Sequence, residues 1–292
     1  MPQIKNYLNL IKFSHSIFAM PFALIGFVLG YFKINKNINS INQYLITFFL
    51  VIICMITARG AAMAFNRYLD RNFDAKNPRT AIREIPAGII TPNNALKFTL
   101  ICCVIFIISC YFINKMVLLL SPIALFVVLF YSYTKRFTAL CHLVLGIGLS
   151  LAPIGAYVAV TAYFSMLPIL FSLIVLFWVS GFDIIYALQD ETFDRENKLQ
   201  SIPALLGKKM ALLFSRFLHS VSALIVVFTG FHYNFTLLYF IAAAIFIAML
   251  VYQQSIVKPT DLSKVNIAFM TANGIASIVF AVFVIADIIV RN

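Results

Sequence analysis

Nine stretches of about 17 to 25 predominantly apolar residues run through this chain: 14–32, 43–66, 95–113, 117–133, 140–160, 163–185, 208–230, 235–255 and 265–289. In lipid, every backbone N–H and C=O in such a stretch must be satisfied internally, and a helix is the local way to do so. The reading is an all-α, polytopic membrane protein with about nine transmembrane helices in one bundle. Composition agrees: 62% of the 292 residues are hydrophobic and 11% are charged, against about 25% charged in a soluble domain. Spans three and four are separated by only a few residues around Asn114-Lys115, which implies a tight hairpin.

The first apolar run continues into a full span and lacks a small-residue cleavage site, so no secretory signal is read there. The five cysteines (Cys54, Cys102, Cys103, Cys110, Cys141) lie in apolar runs without metal-ligand spacing and read as packing. The net charge of +12 does not point to nucleic acid, because lysine and arginine in a membrane protein collect on the cytoplasmic side. Placing the N-terminus inside puts 18 of the 22 basic residues at or near that face, leaving only Lys33, Lys36, Lys115 and Arg291 outside. The expected frame is one transmembrane domain over 1–292, with cytoplasmic loops at about 67–94 and 186–207.

The acids are distributed unevenly. Of ten, three (Asp70, Asp74, Glu84) follow span two and five (Asp183, Asp190, Glu191, Asp194, Glu196) close span six, both on the cytoplasmic side. Carboxylates are costly in such a chain and mark function. Asn66, Asp70 and Asp74 stand at i, i+4 and i+8 and share a helix face; Asp183, Asp190 and Asp194 at i, i+7 and i+11 share another. One such stack alone reads equally as a solvated loop face. Two facing stacks of like charge call for a cation between them, and hard oxygen donors suit Mg²⁺ over Zn²⁺. Asp70 to Asp190 and Asp74 to Asp194 are each 120 residues apart, and each acidic segment leads through basic residues to a proline (Pro86, Pro203), the pattern of a duplicated half.

Bases interleave with the acids: Arg67, Arg71, Lys76, Arg79 and Arg83 in the first segment, Arg195 and Lys198 in the second. Mg²⁺-binding acids beside arginine and lysine describe a phosphate or pyrophosphate site. No GxxxxGK[ST] or GxGxxG is present, so nucleotide folds gain no support. Arg59 lies seven residues before Asn66 on the same face, deep enough to need an anionic partner.

Asn66-Arg67-x-x-Asp70-x-x-x-Asp74 with Asp183-x-x-Tyr186-x-x-x-Asp190-x-x-x-Asp194 resembles the paired signature of the UbiA superfamily of membrane prenyltransferases. Tyr131 to Arg136 resembles the family's Tyr-x-x-x-Lys-Arg segment, and Lys198 to Pro203 the segment after its second motif. Ile11 to Phe22 and Ala58 to Arg67 look like the 4-hydroxybenzoate polyprenyltransferase-like subgroup, which includes menaquinone enzymes. Ubiquinone enzymes more often carry Asn-Asp where this chain has Asn66-Arg67. The resemblance implies a nine-helix bundle in a bacterial cytoplasmic (inner) membrane, around a cytoplasm-facing cavity with a side opening to lipid. It also implies two Mg²⁺ ions bridging the diphosphate of a polyprenyl donor, and an aromatic acid, 4-hydroxybenzoate or 1,4-dihydroxy-6-naphthoate, as acceptor.

On that resemblance, Asn66, Asp70, Asp74, Asp190 and Asp194 are metal or pyrophosphate ligands. Asp183 is a ligand, or it orients or deprotonates the phenol. Lys76, Arg79, Lys135, Arg136 and Lys198 are phosphate contacts, and Arg59 binds the acceptor's carboxylate or the pyrophosphate. Tyr186 hydrogen-bonds in the site or packs as an aromatic; His15 reads as a satisfied membrane histidine rather than a cavity residue, and Trp178 as packing. The competing function is a transporter of phosphate-bearing or cationic solutes. It lacks support in the spans, which carry no central acid or paired Gly-Pro break.

Overall fold

A computed structural model of the chain describes residues 2–11, 18–34 and 41–292. Eleven α-helices follow in order: α1 Pro2–Leu10, α2 Met20–Lys33, α3 Ile41–Lys76, α4 Pro92–Ile113, α5 Lys115–Thr134, α6 Cys141–Thr161, α7 Met166–Ala187, α8 Glu191–Glu196, α9 Ile202–His232, α10 Leu237–Ile256 and α11 Asn273–Arg291. Among the described residues there is no strand beyond one isolated bridge, Lys258 to Asp261. Among the described residues, eight segments are long and apolar enough to cross a membrane. The first expected span is represented by α2, 14 residues of apolar helix, about 21 Å long against a hydrocarbon core of about 30 Å. Residues 12–17, with His15, lie outside the described residues.

The helices begin and end where local chemistry dictates. Thr91 caps α4 by accepting from Asn94 N–H, with Pro92 opening the helix. Asn114 alone separates α4 from α5: its Oδ1 accepts from Val117 N–H at 2.9 Å, and its Nδ2 donates to Val158 and Ala159 C=O at 3.0 Å. One side chain thus caps α5 and ties the hairpin to the end of α6. Ser201 caps α9, which starts six residues before the expected span and kinks at Gly207, whose φ of 75° suits glycine.

Burial identifies the centre. Two thirds of α7's most apolar window is buried, against 17% for α5, whose Leu119 and Phe126 face outward as a lipid-facing side chain must. α7 packs on α6 and α9, and α2 packs on α6. A Cβ at Gly26 would lie 2.0 Å from Pro153 O, so glycine is what lets α2 and α6 touch. Trp178 is fully buried among Phe22, Phe182 and Phe246, and its Nε1 donates to Asn273 Oδ1 at 2.8 Å. Its reading as packing holds, with one hydrogen bond added. Asn273 follows a π-helical turn, Ile267–Ala272, and its Nδ2 donates to the carbonyls of Ala268 and Phe269 that the wider turn exposes.

Candidate active site

α3 does not end with the apolar run. It continues ten residues to Lys76, so the first part of the expected 67–94 loop is helix, and Asn66, Asp70 and Asp74 do share a face. The second acidic segment is less regular: α7 stops at Ala187, a 3₁₀ turn spans Leu188–Asp190, and α8 carries Asp194. Asp183, Asp190 and Asp194 nevertheless reach the same cavity, of about 410 Å³, as the three α3 residues.

Every acid of the two motifs is held by a base, except Asp183, which is held by a histidine. Arg136 Nη2 donates to Asp70 Oδ1 at 2.9 Å, and Asn66 Nδ2 to Asp70 Oδ2 at 3.1 Å. Arg83 Nη1 donates to Asp74 Oδ1 at 2.6 Å. Arg79 grips Asp190 in bidentate fashion through Nε and Nη2, its Nη1 donates to Tyr186 OH at 3.0 Å, and Asn77 Nδ2 adds a bond to Asp190 Oδ1. Lys135 Nζ stands 2.7 Å from Asp194 Oδ1, and Ser201 Oγ donates to Oδ2 at 2.9 Å. His142 Nδ1 lies 2.7 Å from Asp183 Oδ2. Burial lowers the pKa of Lys135, and Asp194 more than offsets it, so the net shift is upward. Arg79 is raised for the same balance of reasons, against Asp190.

The placement of the expected site residues is mixed. Arg59, Asn66, Asp70, Asp74, Arg79, Lys135, Asp183, Tyr186, Asp190 and Asp194 line the cavity. Tyr186 does both things expected of it, taking the Arg79 bond and packing on Phe269 with ring centroids 4.3 Å apart. Arg136 stands behind the wall and holds Asp70, Leu69 O and Ser132 O. Lys76 and Lys198 are exposed and line no part of the cavity. Lys198 contributes through its backbone: its φ of 56° ends α8 so that Leu199 N–H reaches Asp194 O and Gln200 N–H reaches Lys135 O. Residues beyond the expected set also line the site: Arg67, only 5% exposed, with an Nε that has no hydrogen-bond partner; Glu84; and His142.

The cavity wall carries six carboxylates (Asp70, Asp74, Glu84, Asp183, Asp190, Asp194) and five cationic side chains (Arg59, Arg67, Arg79, Arg83, Lys135), a formal charge of −1 with His142 counted as neutral. Asp74 Oδ2 and Glu84 Oε2 are buried without hydrogen-bond partners, which is how hard cation donors look when no cation is present. Among the described residues, no three His, Cys, Asp or Glu side chains close around one point. Any single ion there would complete its shell with substrate oxygens and water, the habit of Mg²⁺.

A second, apolar chamber of about 330 Å³ adjoins the first and shares Arg59, Met63, Tyr131, Leu145 and Leu149 with it. Its lining on α5 runs from Val117 to Tyr131, about 21 Å at 1.5 Å per residue. It lies between α3, α4, α5 and α6 and reaches Phe164 beyond the far end of α6.

Residues 19–275 match the model of the UbiA prenyltransferase family. The chain belongs to that family. The protein is accordingly a prenyltransferase, integral to a membrane, and the transport reading falls. The chain is 28% identical over 253 residues to a 4-hydroxybenzoate octaprenyltransferase of Francisella tularensis, covering 85% of this chain and 84% of that one. It is 28% identical over 228 residues to one from Tolumonas auensis, covering 78% and 79%. Among solved structures, the apo UbiA homolog from Aeropyrum pernix K1 superposes with a TM-score of 0.79 at 29% identity, covering 95% of this chain and 98% of that one. A homolog from Archaeoglobus fulgidus bound to GPP and Mg²⁺ shares the fold, with a TM-score of 0.74 at 19% identity over 97% and 99% of the two chains.

Proposed function

We propose that this protein carries out the Mg²⁺-dependent transfer of a polyprenyl chain from its diphosphate to a ring carbon of a hydroxylated aromatic acid. The acceptor is 4-hydroxybenzoate or 1,4-dihydroxy-6-naphthoate, in ubiquinone or menaquinone biosynthesis at a bacterial inner membrane. The observation that carries this reading is the junction of the two cavities: a charge-dense one, and an apolar one about 21 Å long that shares five lining residues with it. A prenyl diphosphate has the same two parts.

Charge specifies the cofactor. A wall at −1 repels a diphosphate carrying about three negative charges. Two divalent cations bring the wall to +3, which matches it. Asn66, Asp70 and Asp74 would hold one ion, and Asp190 and Asp194 the other, with Glu84 as a further oxygen donor beside Asp74. When bound, the ions supply Lewis-acid neutralisation of the leaving diphosphate. With those acids holding the ions, their present partners Arg79, Arg83 and Lys135 would be free to bind the diphosphate oxygens. As the C–O bond lengthens, the allylic cation forms among Phe182, Tyr186 and Phe269, walls that exclude water and present aromatic faces. The acceptor's carboxylate pairs with Arg59 and the buried Arg67, and Asp183 takes its hydroxyl. The asymmetry of lysine and arginine supports a site on the cytoplasmic side.

The test is turnover on membranes bearing the protein, with a polyprenyl diphosphate, Mg²⁺ and each acid separately, and EDTA as control. Prenylated product from one ring, lost with EDTA and with D70A or D190A, is the expected result. No product from either ring with intact protein, or full Mg²⁺-dependent turnover by D70A and D190A, overturns the acceptor reading or the ligand reading in turn.

A further inference from the structure

His142 stands in the first turn of α6, only 4% exposed, and lines the charged cavity. Both ring nitrogens are engaged. The Ile202 N–H, in the first turn of α9 where backbone donors have no helical partner, points at Nε2 at 3.4 Å. A carboxylate oxygen accepts, so Nδ1 carries the proton of that pair and donates to Asp183 Oδ2 at 2.7 Å. Asp183 lines the cavity, and its Oδ1 takes no hydrogen bond from the described residues. The Ile202 contact orients the ring, and the ring fixes which carboxylate oxygen is presented.

Asp183 is also set apart from the cation-binding acids. It lies seven residues, about 10 Å along the chain's helical path, deeper than Asp190. At that depth the wall is Leu145, Leu149, Tyr131 and Arg59, where the polar cavity meets the apolar chamber. An acceptor ring there lies between the diphosphate end and the tail of the donor.

We propose that His142 is a positioning residue for the aromatic acceptor, acting through Asp183: it holds Oδ2 so that Oδ1 receives the acceptor's ring hydroxyl. The inference rests on the prenyl-transfer reading above. In the step it serves, the ring carbon ortho to the hydroxyl forms the new C–C bond as the prenyl C–O bond breaks and diphosphate leaves with the electron pair. The hydroxyl proton passes to Asp183 Oδ1. The ring proton is then lost to the diphosphate and the oxygen recovers its proton from Asp183, which leaves the carboxylate as it began.

The experiment is steady-state kinetics of H142L, H142N, D183N and H142L/D183N with both substrates varied, each protein checked for monodispersity and thermal unfolding. H142L lowers kcat/KM for the aromatic acid about tenfold or more, the kinetic size of one charge-assisted hydrogen bond, while the KM for the prenyl diphosphate stays put. H142N, whose Nδ2 can replace the Nδ1 donor, recovers most of the loss, and H142L adds nothing in the D183N background. An H142L enzyme equal to wild type, a loss shared equally by both substrates, or additive losses in the double variant would each overturn the proposal. A wild-type protein that prenylates no aromatic acid overturns the functional reading itself, and this inference with it; an active wild type beside an undiminished H142L overturns the inference alone.

Discussion

Replacing Lys135 by methionine keeps most of the side chain's bulk and removes its charge from beside Asp194. Asp194 is fully buried, while the Lys135 side chain is 32% exposed. Removing one partner of a buried pair costs about 3 to 5 kcal/mol, because the remaining charge is left uncompensated. Lys135 reaches the cavity, and the Ser201 hydroxyl remains on Asp194 Oδ2, so the lower end applies, about 3 kcal/mol. In the D194N background there is no buried anion to strand, and K135M costs less than about 1 kcal/mol. The expected coupling is thus about 2 kcal/mol, within the range that double-mutant cycles measure for contacting residues. The assay is denaturant unfolding of the four proteins in detergent with EDTA, so that no divalent ion substitutes for the lysine. Its pH dependence has a defined sign. With Lys135 held above the ordinary lysine value by Asp194, the pair's contribution is fully present below that ordinary value, about 10.5, and is lost as pH rises through the elevated one. Lysine protonation therefore contributes no slope to the K135M difference from about pH 7 to 9.5, and any slope there belongs to the Asp194 carboxyl, which burial pushes upward and which K135M leaves without its cation. Equal costs of K135M in both backgrounds would refute the reasoning.

Two further outcomes follow from the apolar half of the molecule. A Cβ added at Gly155 meets nothing within 4 Å and stands in the open chamber, so G155F leaves folding and turnover of a geranyl donor intact. It cuts kcat/KM for an octaprenyl donor by about tenfold or more, a steric exclusion read by comparing the two donors in one assay. Trp178, the sole tryptophan, is fully buried, so emission is blue-shifted and resists aqueous quenchers until the bundle unfolds; quenching of the folded protein would place it wrongly.

What the sequence makes legible is what repeats or clusters. Apolar runs announce spans because the bilayer imposes one length, and eight of ten acids in two segments announce a site because charge is rare here. Pairing across the fold leaves no such trace. Asp70 with Arg136, Asp190 with Arg79 and Asp194 with Lys135 join residues dozens of positions apart, and nearness in sequence favoured Lys76 and Lys198, which line no part of the cavity. Lys76 could have been set aside by phase: two residues past Asp74 is about 200° around a helix, away from the acidic face. Lys198 could not, because its left-handed backbone is a property of the turn. His142 gave one usable signal, a histidine just inside an apolar run and six residues beyond Arg136, but its partners on α7 and α9 are visible only once the helices are packed. The first-turn caps and the π-helical turn are likewise set by contacts the apolar pattern does not encode.

The neutralised state of the acidic motifs has a thermodynamic consequence. Each motif carboxylate is answered by a guanidinium, an ammonium or an imidazole, an internal salt. A divalent ion at Asp190 or Asp194 competes with a base for the carboxylate, and a diphosphate competes with the carboxylate for that base. Arriving together, each would take the partner the other releases. The two ligands are then expected to be positively linked, each raising the other's affinity by the same factor. On that expectation the protein acts as a receptor for their complex.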